Sequence, residues 1–213
     1  MEDRRPQSKA FQGKSQAGPH GDFIFELDHI VGELRKHLEK LGIADRTLVM
    51  FSSDNGPETT SVVPMRADYA HDGAGPWRGM KRDNWEGGHR VPLIVRWPGH
   101  VKSGTISGQL ASLTDVMATL AAITGAELPR DAAGDSFNLR PALEGKASAP
   151  IRPYLLTQAF GGGPHAFHPA GPWKYIAHRD SGGNSYATPT LKSFALPEAA
   201  PGTRNAIWPV IRL

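Results

Sequence analysis

The feature that most constrains this fold is a tandem of amphipathic helix, glycine stop and short apolar run that ends in two oxygen-bearing side chains. Phe23, Leu27, Ile30, Val31, Leu34, Leu38 and Leu41 recur at three- and four-residue intervals, which predicts a helix from about Asp22 to Leu41 with one apolar stripe. Gly42 supplies its C-terminal stop and Asp45-Arg46 the turn. Thr47 to Phe51 then reads as the continuous apolar run of a buried parallel strand. Ser52-Ser53-Asp54-Asn55-Gly56 follows, placing a carboxylate and an amide at the strand's exit. Ligand sites in open α/β sheets lie outside the carboxyl ends of the strands, and such oxygen donors suit a hard cation. On the tripeptide alone, Asp-Asn-Gly reads as the chemistry of a tight turn.

Downstream, the polar, Gly-rich stretch Thr59 to Trp77 reads as a loop lying over the strand exit. Val91 to Trp97 is a second buried strand, turned by Pro98-Gly99. Thr114 is the expected N-cap of a helix, with Asp115 at the positive end of its dipole. Val116, Leu120 and Ile123 form the buried face of that helix, which stops at Gly125. A further helical turn holds Leu139 and Leu143 and ends at Gly145. Pro153 to Thr157 and Trp173 to His178 are the remaining strand candidates, in a second half made loop-rich by much of the chain's 24 glycines and 18 prolines. Ala199 to Leu213 shows no periodicity, and there is no internal repeat.

Several function classes drop out. The net charge is +3, but the basic residues are scattered, without a basic helix or an aromatic-interleaved patch, so a solvated surface explains them better than nucleic-acid binding. No stretch approaches the roughly 20 apolar residues of a membrane span. No signal-peptide h-region is visible in the first residues. There is no cysteine, hence no disulfide and no thiolate metal site. Neither a Gly-x-Ser-x-Gly elbow nor a P-loop occurs. His20, His29 and His89 lack the i, i+4 pairing of a helical zinc motif and read as structural or exposed. His165 and His168 sit three apart in what reads as a plain Gly-Pro-rich loop. Glu86 and Arg90 read as scaffold around Gly87-Gly88, with Arg90 paired to a carboxylate.

The order of motifs is more specific than any one of them. Phe11-Gln12-Gly13-Lys14-Ser15, Gly21-Asp22, Leu27-Asp28, Val31-Gly32, the Ser-Asp-Asn-Gly segment, Gly79-Met80-Lys81, Glu86-Gly87-Gly88-His89-Arg90-Val91-Pro92 and Arg96-Trp97-Pro98-Gly99 follow one another, with Thr114-Asp115 and Trp173-Lys174-Tyr175-Ile176 later. Together they resemble the type I sulfatases of the alkaline phosphatase superfamily, over roughly residues 10–180. The resemblance implies an α/β fold: part of a sulfatase/alkaline-phosphatase-like mixed sheet flanked by helices, with a small C-terminal antiparallel sheet. Residues 1–150 would belong to the catalytic α/β domain and residues 151–213 to a small C-terminal subdomain.

The same resemblance implies that Asp54 and Asn55 are two protein ligands of one calcium ion and that Lys81 binds the substrate's sulfate. The family's nucleophile is a formylglycine made from a Cys/Ser-x-Pro-x-Arg segment in the N-terminal half, beside an Asp-Asp metal pair. Neither the Cys/Ser-x-Pro-x-Arg segment nor the Asp-Asp pair is expected in this chain, which has no cysteine. The expectation is therefore the C-terminal portion of a sulfatase, with no catalytic residue of its own and inactive alone. Its implied partner is a sulfated small molecule or glycan. The alternative is a non-enzymatic sulfatase-fold remnant or partner-binding module. A phosphoesterase of the same superfamily is disfavoured because the histidines of a two-zinc site are missing. Family relatives are commonly periplasmic or secreted.

Overall fold

The computed structural model describes residues 7–159, 165–169, 173–176 and 211–212. Helix α1 spans Gly18–Lys40, one turn longer at its start than the periodicity indicates because Pro19 sits in the first turn, where its missing N–H costs nothing. Strand β1, Val49–Ser52, and β2, Leu93–Arg96, pair antiparallel with Phe51 opposite Ile94. The expected buried parallel strand is thus a half-buried antiparallel one, and it is an outer strand of its sheet among the described residues. That sheet continues from β2 to β7, Ile211–Arg212, which runs parallel to β2, and then to β3, Ile106–Ser107. The rest of the stretch from Ala199 lies outside the described residues.

One face of the sheet holds the core. Leu93 and Val95 pack on Leu139 and Leu143 beside the short helix α5, Arg140–Leu143, with Met50, Trp97 and Ile151 around them. Each such side chain contributes about 1.5–3 kcal/mol on full burial. The apolar stripe of α1 does not join this core: Ile30 is 56% exposed, Leu34 49% and Leu41 68%. Leu27, Val31 and Leu38 of the same stripe are half-buried.

Thr59 to Trp77 is not all loop. Helix α2, Thr59–Tyr69, occupies its first half, buries Val62 and Met65, and carries Pro64 within it. Helix α3, Glu86–His89, is a single turn. Helix α4, Asp115–Thr124, starts and ends where the sequence indicates, with Gly125 at φ +74° as its left-handed C-cap. Its buried face differs: Asp115 and Thr119 are fully buried, whereas Leu120 is exposed. The Thr114 side chain makes no capping bond to the helix.

Asp115 explains this inversion. Its carboxylate accepts the N–H groups of Ser112 (2.8 Å) and Phe137 (2.9 Å) and pairs with the guanidinium of Arg152, whose Nε lies 3.2 Å from Oδ2. Arg152 also donates to the carbonyl of Asp135 at 2.7 Å. Thr119 Oγ1 donates to the Asp115 carbonyl and accepts the N–H of Leu139, so polar bonds rather than apolar contact join α4 to the α5 segment.

A second, all-antiparallel sheet contains β4, Tyr154–Gln158, β5, His165–Pro169, and β6, Tyr175–Ile176. His165 and His168, expected in a plain loop, lie on β5; flanking Gly and Pro hide that strand's pattern. Ala177 and His178 lie outside the described residues.

Arg152→Ala leaves the Asp115 carboxylate buried without its cation, a loss of about 3–5 kcal/mol. Urea denaturation followed by circular dichroism measures it, and a loss below about 1 kcal/mol would place the pair among weakly contributing surface bridges.

Candidate functional site

The site begins where β1 stops. Ser52 Oγ donates to the Pro92 carbonyl at 2.7 Å, tying the strand end to the residue before β2. Beyond it, the Gly56 N–H donates to the Gly88 carbonyl (2.8 Å) and the Lys81 N–H donates to the Pro57 carbonyl (2.9 Å). These two backbone bonds bring the Asp54-Asn55 segment and the Lys81 loop together. A Cβ on Gly56 would collide with the Gly87 carbonyl oxygen, and one on Gly88 with the carbonyl of Asp83. Gly56 is therefore required by the close approach of the two segments, and Gly88 by the tight folding of residues 80–88 on themselves.

Asp54 is exposed and Asn55 half-buried at this strand exit. Among the described residues, the Asp54 carboxylate and the Asn55 side-chain amide have no hydrogen-bond partner; the bond to this segment runs from Ser53 Oγ to the Asn55 backbone carbonyl. Lys81 is half-exposed, with Nζ 3.8 Å from Glu58 Oε2. Arg82 grips the same carboxylate through two bonds of 2.6 and 2.9 Å, from a backbone φ of +82° that a non-glycine residue rarely adopts. Glu58 also accepts the Thr59 N–H at the start of α2. The hydrogen bond from Arg82 first, and the nearby cations with it, hold the Glu58 carboxyl below its usual range despite partial burial.

Beneath the glycine contact lies a buried charge cluster. Glu86, 5% exposed, accepts from Lys174 Nζ (2.9 Å) and Arg90 Nη1 (3.3 Å). His89 Nε2 lies 3.1 Å from Lys174 Nζ and so takes the acceptor role, with Nδ1 turned toward the Asp83 carbonyl. The Arg90 guanidinium also covers the Trp77 ring at 3.8 Å, and that of Arg78 covers Trp85 at 3.6 Å. Burial pushes the Glu86 carboxyl up, but the charge and hydrogen bond of Lys174 act against it, and the group is held well below the ordinary carboxylate range. Burial pushes the Lys174 ammonium down, with Glu86 opposing the shift. Arg90 pairs with a carboxylate as expected, that of Glu86. Glu58 and Lys174 are supporting residues that sequence reasoning missed, because their partners Arg82 and Glu86 are 24 and 88 positions away.

A Ser-x-Pro-x-Arg spacing does occur late in the chain, at Ser148-Ala149-Pro150-Ile151-Arg152. This corrects the expectation that the chain holds no such segment. The structure uses the segment as scaffold: the Ala149 carbonyl and Ile151 N–H bond the Gln109 side chain, and Arg152 is buried on Asp115.

Taken together, fold and site define a mixed α/β protein that presents polar side chains at the exit of a sheet strand. The chain belongs to the sulfatase family, whose family model, described as Sulfatase, matches residues 2–126. It is 41% identical to mouse steryl-sulfatase, over 68% of this chain and 23% of that protein. It is 40% identical to human N-acetylgalactosamine-6-sulfatase, over 64% and 25%, and 34% identical to human arylsulfatase A, over 85% and 34%. The chain thus spans about a quarter to a third of the length of these relatives. Among solved structures, it superposes with a TM-score of 0.70 and 35% identity on a chain from work on the metabolism of multiple glycosaminoglycans by Bacteroides thetaiotaomicron, covering 83% of this chain and 36% of that one. It superposes at 0.62 and 27% identity on Ps i-CgsB, solved in complex with k-i-k-neocarrahexaose, with the same two coverages.

Because folding lowers the Glu86 pKa, its stabilisation is fully present above the ordinary carboxylate value of about 4.3 and is lost as pH falls through the folded value. The urea midpoint of the unaltered chain should therefore drop as pH is lowered below about 4. Glu86→Gln, which strands Lys174, should start about 3–5 kcal/mol less stable at neutral pH and lack this part of the acid dependence. Equal acid slopes for the two proteins would assign the dependence to other carboxylates.

Proposed function

We propose that this chain supplies part of the calcium site and the sulfate-binding lysine of a sulfate ester hydrolase. The observation that carries the reading is the pair of backbone bonds, Gly56 to Gly88 and Lys81 to Pro57, which sets Asp54, Asn55 and Lys81 around one strand exit. In kind, a carboxylate and an amide oxygen with no described hydrogen-bond partners fit a hard cation. In number they are a partial set: calcium takes roughly 6–8 oxygens, and no group of three or more His, Cys, Asp or Glu converges among the described residues. Asp54 would hold the ion by charge and Asn55 by its carbonyl. When bound, calcium supplies Lewis acidity and a fixed template for a sulfate oxygen.

The chain's own residues do the rest of what can be assigned. The Lys81 ammonium faces the charge that develops on the bridging oxygen as the ester bond breaks, an interaction stronger in the transition state than in the ground state. Glu58 and Arg82 hold the loop that carries it, through the bidentate pair described above. No residue here is assigned as nucleophile: the chain has no cysteine, and the Ser148 segment is bound into the scaffold. The substrate class is a sulfated small molecule or glycan, a reading supported by relatives named as steryl-, aryl- and N-acetylgalactosamine-6-sulfatases.

Calorimetric titration of the purified chain with calcium should give weak binding that is abolished in Asp54→Ala, and a dissociation constant in the low-micromolar range would contradict the partial ligand set. The chain alone should not turn over a chromogenic aryl sulfate; turnover above that of the Asp54→Ala protein would overturn the assignment of no nucleophile. A chain that binds no calcium at all would favour the non-enzymatic module.

A further inference from the structure

Asn55-Gly56 is the one Asn-Gly step in the chain. Such a step carries its own reagents: the backbone nitrogen of the second residue can attack the side-chain amide carbon of the first, and a glycine, having no Cβ, leaves that nitrogen free to reach it. Asparagine is a thermolabile residue. The fold cannot slow the reaction by enlarging residue 56, because a Cβ there would collide with the Gly87 carbonyl oxygen. The same close approach supplies a restraint instead. The Gly56 N–H donates to the Gly88 carbonyl at 2.8 Å, and Ser53 Oγ donates to the Asn55 carbonyl at 3.1 Å. The peptide group that must turn and lose its proton is thus tied at both ends, while the half-buried Asn55 side-chain amide has no hydrogen-bond partner among the described residues.

We propose that Asn55 is a modification site, a deamidation centre held latent by the Gly56–Gly88 hydrogen bond. In the reaction, the Gly56 nitrogen gives up its proton and bonds to the Asn55 side-chain carbonyl carbon. The bond from that carbon to Nδ2 breaks, and Nδ2 leaves as ammonia with the proton. Water then opens the cyclic imide at the side-chain carbonyl to give aspartate, or at the backbone carbonyl to give isoaspartate. A nitrogen whose N–H is donated to Gly88 is harder to deprotonate, and its peptide plane cannot turn toward the side chain until the bond opens. Either product alters the strand exit. Aspartate sets a second carboxylate beside Asp54, and isoaspartate adds a methylene to the backbone that leads into a slot with no room for a Cβ. None of this rests on the calcium reading, since nucleophile, leaving group and restraint all belong to the chain itself.

The test incubates the full chain at mildly alkaline pH, folded in buffer and unfolded in guanidinium chloride, and follows aspartate and isoaspartate at position 55 by peptide mass spectrometry. Hydrogen exchange of the folded chain at the same pH and temperature gives the protection of the Gly56 amide. The folded chain should deamidate at least about tenfold more slowly than the unfolded one, and by the same factor as the amide is protected, because both reactions wait for one bond to open. Gly88→Ala, whose Cβ would collide with the Asp83 carbonyl and displace the acceptor, should deamidate at position 55 faster than the unaltered chain when circular dichroism shows it folded. Equal rates in buffer and denaturant, a slowing that departs from the amide protection by more than about tenfold, or an unchanged rate in folded Gly88→Ala would overturn the proposal. If that variant does not fold, the match between slowing and protection in the unaltered chain decides it.

Discussion

The contact between Gly56 and the Gly87-Gly88 turn is the constraint on which the site depends. A strand exit can carry a carboxylate and an amide in any α/β protein. What distinguishes this one is that its backbone comes so near a second segment that Gly56 has no room for a Cβ, while Gly87 and Gly88 of that segment are closed in by the backbone of residues 78–83. The N–H of Gly56 then finds its acceptor in that segment instead of in solvent, and the loop carrying Lys81 is fixed by the next bond along. Two dipole contacts of ordinary strength, each contributing about 0.5–1.5 kcal/mol, bring the Asp54-Asn55 segment and the Lys81 loop together.

Buried charge does for this chain what aliphatic packing does for many others. Asp115 with Arg152, and Glu86 with Lys174, sit at the junctions between segments, each ringed by further donors or acceptors. Such pairs add little net stability over apolar replacements but are costly to break on one side. Their bonds are directional, so they fix how α4 meets the α5 segment and how the Glu-Gly-Gly turn meets the small sheet. Leucines at those junctions would tolerate several registers.

Local patterns were legible in the sequence where one segment determines its own structure. The stripe of α1, the apolar run before Asp54, and Gly125 and Gly145 as helix stops all act within one or two turns of chain. Helix α2 was hidden because Thr59, Thr60, Val62 and Val63 are β-branched and Pro64 interrupts the pattern; its burial rests on Val62 and Met65 alone. The orientation of β1 was misread because an apolar run carries no information about its neighbour's direction. In the site, Asp54, Asn55, Lys81, Glu86 and Arg90 stood out by motif order. Glu58 and Lys174 did not, because their roles come from partners 24 and 88 positions distant. Asp115 was seen, but as a dipole-facing residue at a helix start, since Arg152 had no visible tie to it.

The separation between Lys174 and Glu86 also bears on how the molecule assembles. Closing a loop of that length costs entropy before the ion pair returns anything, so contacts of this kind form after the local ones. The Glu-Gly-Gly turn can close on Gly56 early, through nearer sequence, while its charged underside waits for β6 to arrive. Until it does, Glu86 remains hydrated and the turn free to breathe. The geometry around the strand exit thus acquires its final rigidity from the small sheet, the last of these segments along the chain.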